Sequence, residues 1–458
     1  MTLRGLCIFG WVGLTLSGCV GTATLTDVES VQSGSPAPGP GPGPTPSPTP
    51  TPTPTDAGTV VVDAGVTPPV VDAGSTPPVP DAGSLPPGPC GTLDTRVIQA
   101  TIDVRPASVD VGSSYGWSNN RPVHFAGLTD GSARVAWSSN GTIHITPLNA
   151  MLARLGPDLT TAGVSVRGFV AHDDGSVALL VVRGTEMHLV KLRSDGSNAF
   201  DVPIVADPPS DTEGARWVDN WGHEGRLLVA GNAYVAYFGH TRHWGAMGKH
   251  QGDLLASFDV NTGARVGGPA GWDWGCSHSL DVRLAWDGAR VAPVCLSDCY
   301  RTKGVLLDDS TVLSDEPSGN CAGSSNGELG GLAALAGGGF AVTFSTTEGR
   351  SSRDVAFRTI SSQGTPGPVV WLAMGAGDER APHLARYGAD RLLASWVEGG
   401  DSKLAVLSAA GVVLEGPVTA SVAVDVRDDF ARYPGGDVGW ASGGGGQLQV
   451  SRIRSCIP

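Results

Sequence analysis

Gly131-Ser-Ala-Arg-Val-Ala-Trp137 and Gly231-Asn-Ala-Tyr-Val-Ala-Tyr237 are nearly the same heptad, written 100 residues apart. Each is a turn glycine followed by an alternating run that ends on a large aromatic, the pattern of a strand leaving a tight turn. Equivalent strands end at Val181, Val294, Phe344, Trp396 and Trp440. The seven markers are spaced by 44, 56, 57, 50, 52 and 44 residues. Self-similarity at such a period marks a repeat architecture, whose units bury their apolar faces only against one another. Within the first unit, His124 to Thr129 reads as a strand and Asp130-Gly131 as a turn. The marker strand follows, Asn140-Gly141 turns again, and Thr142 to Leu148 forms a third strand. Asp-Gly and Asn-Gly are the dipeptides that supply the positive φ of a hairpin turn. A looser fourth strand is expected to end near Gly-Pro, as at Gly156-Pro157, Gly268-Pro269 and Gly416-Pro417.

Seven such units resemble the blades of a β-propeller, and residues 90–458 are expected to form one all-β, seven-bladed propeller domain. The last unit stops after its third strand, Gln447 to Arg454, while a spare strand, Arg96 to Val104, opens the domain. Donated to the last blade, the spare strand would close the ring and remove two open sheet edges. Cys90 and Cys456 would then flank the seam, where a disulfide could fasten it. An array of β-sandwiches would use the same alternation, but it leaves the orphan strands unexplained.

Residues 1–18 have the three parts of a secretory signal: Arg4, an apolar run from Gly5 to Leu16, and a small-residue end. The run is shorter than the ~20 residues of a spanning helix. Leu16-Ser17-Gly18-Cys19 resembles the bacterial lipoprotein signal. That resemblance implies an acylated Cys19 (palmitate or a similar chain) as the mature N-terminus, anchored to a membrane without spanning it. Val20 stands where an aspartate would favour the inner membrane, so an outer-membrane address is expected, facing periplasm or cell surface. Residues 19–89 form the lipidated N-terminus and a linker. Eighteen of the 34 prolines lie between Pro36 and Pro89, and Asp-Ala-Gly recurs at Asp56, Asp63, Asp72 and Asp81. Such a stretch lacks the donors and apolar side chains of a core. It is expected to be a disordered, semi-rigid tether with a reach on the order of 150 Å.

Eight cysteines are present. Cys7 leaves with the signal and Cys19 takes lipid, so six remain for an oxidising compartment. With Cys90 paired to Cys456, the residues Cys276, Cys295, Cys299 and Cys321 are left to form two bridges, in three possible pairings. Zinc ligation by those four is the alternative, but the spacing CysX18CysX3CysX21Cys matches no ribbon or finger.

Thirteen residues before each marker lies the expected start of an innermost strand, at the channel mouth. The residues there are His124, Gly168, Glu224, Asp281, Gly331, His383 and Arg427; three earlier come Arg121, Ser165, Trp221, His278, Glu328, Arg380 and Val424. A convergent ring of His, Asp, Glu and Arg in a concavity is a candidate site. Polar groups there would equally serve to hold water or clasp neighbouring blades. A second cluster falls on the third and fourth blades. The enlarged loop Gly239 to Gly252 carries His240, His243, Trp244, Lys249 and His250, and the next connection carries Trp272, Asp273, Trp274 and His278. Tryptophans there suit stacking on a sugar or apolar face. The histidines with Glu224 and Asp281 suit a divalent metal. His124, Glu224, His278 and His383 are the metal candidates. Alternatively the tryptophans plug the loop.

No Gly-X-Ser-X-Gly elbow, phosphate loop or dinucleotide fingerprint appears in a suitable setting, and Asp-box repeats are missing. The net charge of −14 and the lack of a basic stripe argue against nucleic acid. The expected function is a surface-anchored envelope module that binds a glycan, peptide or envelope protein through the third and fourth blades. The alternative is a metal-assisted hydrolase or lyase at the channel mouth.

Overall fold

The computed structural model describes residues 91–110, 122–204, 216–217, 225–243, 249–267, 271–276, 279–298, 303–316, 327–426 and 429–456. The signal, Cys19, the tether and Cys90 lie outside them. The described residues form seven antiparallel sheets, six of four strands and one of five. The innermost strands of the first three are Val123–Gly127, Ser165–Ala171 and Gly225–Ala230. Ser279–Trp286, Glu328–Ala334, Arg380–Tyr387 and Ala431–Arg432 follow. Each abuts the next, and the last blade returns to the first. The fold is a seven-bladed β-propeller.

The seam is closed as the orphan strands require. Val97–Asp103 pairs antiparallel with Gln447–Ile453, from Val97 opposite Ile453 to Asp103 opposite Gln447. It supplies the outer strand of the seventh blade. The edge of Gln447–Ile453 is thereby covered, and Val97–Asp103 becomes the outer edge of the blade.

Turn chemistry repeats with the blades. Asp130 Oδ1 accepts the Ser132 N–H at 2.8 Å, and Asp174 Oδ1 accepts the Ser176 N–H at 2.8 Å. Between them stand Gly131 and Gly175, at φ of 81° and 83°, where a side chain would be strained. The seven markers are core residues: Trp137, Val181, Tyr237, Val294, Phe344, Trp396 and Trp440 are all at most 2% exposed. They sit in apolar clusters that join one blade to the next. This is why they served as a ruler. A fully buried inter-blade position tolerates little change in volume.

Three expectations need correction. The stretch Gly239 to Gly252 is no loop at its ends. Ala233–His243 and Lys249–Asp259 continue one ladder as far as His243 opposite Lys249, and Arg216–Trp217 pairs on its outer part. Second, Gly156-Pro157 precedes its fourth strand, Leu159–Ala162, and Gly416-Pro417 lies inside the strand Val413–Thr419, not at its end. That strand is at an outer edge, where a residue without an N–H is tolerated. Third, the thirteen-residue ruler holds in some blades only. His124, Gly168 and His383 lie opposite the residue before the marker, as expected. In the third, fourth and seventh blades that place belongs to Leu227, Leu284 and Ala431. Glu224, Asp281 and Arg427 therefore precede it. The turn shrinks to Gly231-Asn232 in the third blade and to 287–290 in the fourth, and Trp440 sits nearer its turn than Trp137 does.

Candidate functional site

At the start of the innermost strands, polar side chains tie blades together. His124 is buried with Nε2 at 3.2 Å from the Val166 carbonyl of the second blade, so that nitrogen carries a proton to donate. Asp281 accepts from the Val282 N–H at 2.8 Å and from Arg283 at 2.5 Å, and Arg283 donates to the Leu329 carbonyl of the fifth blade at 2.8 Å. His383 is buried, with Nδ1 at 2.7 Å from the Ala381 carbonyl and its ring 5.1 Å from Phe430. Glu328 accepts the Ala381 N–H at 2.6 Å and pairs with Arg353 at 3.1 Å. Arg380 is exposed just before a shift in register.

The two ring glycines are places where a neighbouring backbone comes close. A Cβ on Gly168 would lie 2.8 Å from the Leu227 nitrogen, and one on Gly331 would lie 2.2 Å from the Leu384 carbonyl oxygen. Both are glycine because a neighbouring backbone fills the space. Arg121, Trp221, Glu224, His278 and Arg427 lie outside the described residues.

The third and fourth blades turn the polar ends of their aromatics inward. Asp253 is fully buried and accepts the Tyr237 hydroxyl at 2.6 Å and the Trp272 indole N–H at 2.9 Å. Burial pushes its pKa up to about 7. Trp272 and Trp274 are half-buried. Trp274 lies against fully buried His240, at 5.2 Å between rings, and over Gly252, where any Cβ would come within 2.7 Å of the indole. Beside them Cys276 and Cys295 form a disulfide, one of the pairings the spacing allowed. Cys299 and Cys321 lie outside the described residues, as do Trp244 and the side chain of His243. Among the described residues, Asp253, Cys276 and Cys295 are the one His/Cys/Asp/Glu group close enough to share a metal. Both sulfurs are committed to the disulfide, so the group does not fit one.

Open space begins at His124 and Gly168 of the ring and runs along the innermost strands towards their turn ends. One cavity of about 610 Å³ is lined by Phe125, Gly168, Phe169, His172, Arg226 and Asp429, among others. A second, of about 290 Å³, lies among Trp286, Leu332, Leu384, Arg386 and Phe430, and Arg432 lines both. In the larger cavity Arg226 meets Asp429 at 3.2 Å, joining the third blade to the seventh. His172 bonds the Tyr234 hydroxyl at 2.6 Å, and burial, then the nearby Lys191 charge, lowers its pKa. Asp173 accepts from the Thr129 N–H and hydroxyl at 3.0 and 2.7 Å. Sequence reasoning missed this end. Its signal was there beside the turns: Trp286 and Arg432 end their innermost strands where Gly127, Ala230 and Ala334 end others, Arg386 stands one residue before a strand end and His172 one residue after.

No family model matches the chain, and no curated protein matches it. Solved structures do resemble it. A streptogramin B lyase aligns over 79% of this chain and 99% of its own at 11% identity and a TM-score of 0.39. The Dos1 propeller aligns over 71% and 77% at 10% identity and a TM-score of 0.42. The alpha-L-arabinanase of Penicillium chrysogenum, complexed with arabinobiose, aligns over 76% and 98% at 12% identity and a TM-score of 0.40. No residue of the site is matched through them.

Proposed function

We propose that the protein is a lipid-anchored binding module of the bacterial envelope that takes a small ligand into the turn-end cavities of its propeller channel. The cavity of about 610 Å³ carries the proposal. It is within the ~300–1,000 Å³ of small-molecule sites, and its lining mixes aromatic side chains with a few charged ones. Binding is favoured over hydrolysis because acid–base groups of the cavity are already engaged: His172 with the Tyr234 hydroxyl, Asp173 with Thr129 and Asp429 with Arg226. A general base must reach a substrate proton. The rim of the third and fourth blades is the weaker candidate, since the Trp272 indole N–H is held by buried Asp253.

Retention of small molecules from an envelope extract tests the proposal. Wild-type protein is expected to hold one species through dialysis, identified by mass spectrometry. Ala126→Trp, which fills the larger cavity, is expected to hold none. Equal retention by a folded Ala126→Trp variant would place the ligand outside the channel.

A further inference from the structure

The charges of the channel are unevenly matched. In the larger cavity Arg226 has Asp429. Arg386 and Arg432, at the turn ends of the sixth and seventh blades, are bonded to backbone instead. Arg386 donates to the Ala389 carbonyl at 2.9 Å, and Arg432 to the Gly388 carbonyl at 3.3 Å. Among the described residues, neither is in salt-bridge reach of a carboxylate. Two guanidinium groups thus keep their charge while lining one cavity, in a chain whose net charge is −14. The rest of that cavity is apolar: Leu332, Leu384, the half-buried Phe430, and Trp286, which is 37% exposed. Single exposed apolar residues are ordinary, but a tryptophan at the mouth of a cavity beside two arginines has a specific use. Its flat face offers contact area at small entropic cost.

We propose that this end of the channel binds an anionic ligand, a carboxylate or phosphate ester on an aromatic or aliphatic body, through Arg386 and Arg432 with Trp286 and Phe430 against the body. The proposal rests on the channel being the ligand site and names the ligand's chemistry. Guanidinium groups present paired N–H donors that match the oxygens of either anion. An anion also relieves the crowding of like charge: burial, then the Arg386 charge, holds the Arg432 pKa below its ordinary value.

Isothermal titration of the full chain in detergent tests it, with phenyl phosphate, benzoate, inorganic phosphate and neutral benzyl alcohol as probes. Phenyl phosphate and benzoate are expected to bind once per chain, and benzyl alcohol at least tenfold more weakly. Arg386→Gln and Arg432→Gln are each expected to weaken the aromatic anions by about tenfold, the loss of one charge-assisted contact. Trp286→Ala is expected to weaken phenyl phosphate and leave inorganic phosphate unchanged. In the unmutated chain, salt near 1 M, with a screening length of about 3 Å, is expected to weaken the anions and spare benzyl alcohol. Absence of anion binding, or binding that is indifferent both to salt and to the paired arginine substitutions, would overturn the proposal. Should the chain retain a neutral ligand that Ala126→Trp abolishes, channel binding stands and the anion assignment alone falls.

Discussion

Asp253 keeps a carboxyl group fully buried between a phenol and an indole, and Glu379 keeps another beside Asp354. Burial is the main cause that pushes both up to about 7. Between the ordinary carboxyl pKa and that value, the folded chain holds protons that the unfolded chain has released. Stability therefore falls as pH rises through that window, and the loss is complete above about 7. Asp253→Asn with Glu379→Gln is expected to gain in thermal midpoint over wild type at pH 8.5 relative to pH 5, measured by circular dichroism. An unchanged difference between the two pH values would sink the assignment. At this scale the sequence was uneven. Trp137 and Trp396 were legible as strand ends because they close alternating runs, whereas Asp253 stands just past the stretch, Gly239 to Gly252, that read as loop. Nothing in Gly252-Asp253 announces that Tyr237 and Trp272 will converge on it.

Strands were the most legible elements. Thr142–Leu148 came out with the bounds expected, and the seam strand Val97–Asp103 within a residue at each end. Alternation and turn dipeptides are local signals, and the seam follows from counting strands. Position along the innermost strands was less legible. It depends on turn length, as at Gly231-Asn232, and on register shifts such as that between Val166 and Gly168. The ring was thus read as one opening, whereas His124 and Gly168 line the larger cavity and Asp281, Gly331 and His383 are packed between blades. Removal of residues 91–104 tests the seam. Gln447–Ile453 would lose its outer ladder partners and keep only those of Val438–Gly444, leaving its own edge exposed. Urea unfolding is expected to lose its single cooperative step, or the protein to associate; a single transition at the wild-type midpoint would show the strand to be dispensable.

At the level of the whole molecule, a propeller domain follows a segment whose sequence resembles a lipoprotein signal and tether. Cys19 is expected to carry the acyl chains, so Cys19→Ser should abolish metabolic labelling with an alkynyl palmitate and move the protein from the membrane to the soluble fraction. Labelling that persists would place the lipid elsewhere or dismiss it. The two ends of the channel divide the labour within the domain. At the start of the innermost strands His124, Asp281, Arg283 and Glu328 hold blades in place. At the turn ends the channel opens into space with uncompensated positive charge. Rim and channel are told apart most directly by hydroxyl-radical footprinting of the protein with its retained ligand, read by mass spectrometry. Ligand in the channel predicts that Trp286 is protected while Trp272 and Trp274 oxidise as before; protection of Trp272 and Trp274 with Trp286 unchanged would contradict it.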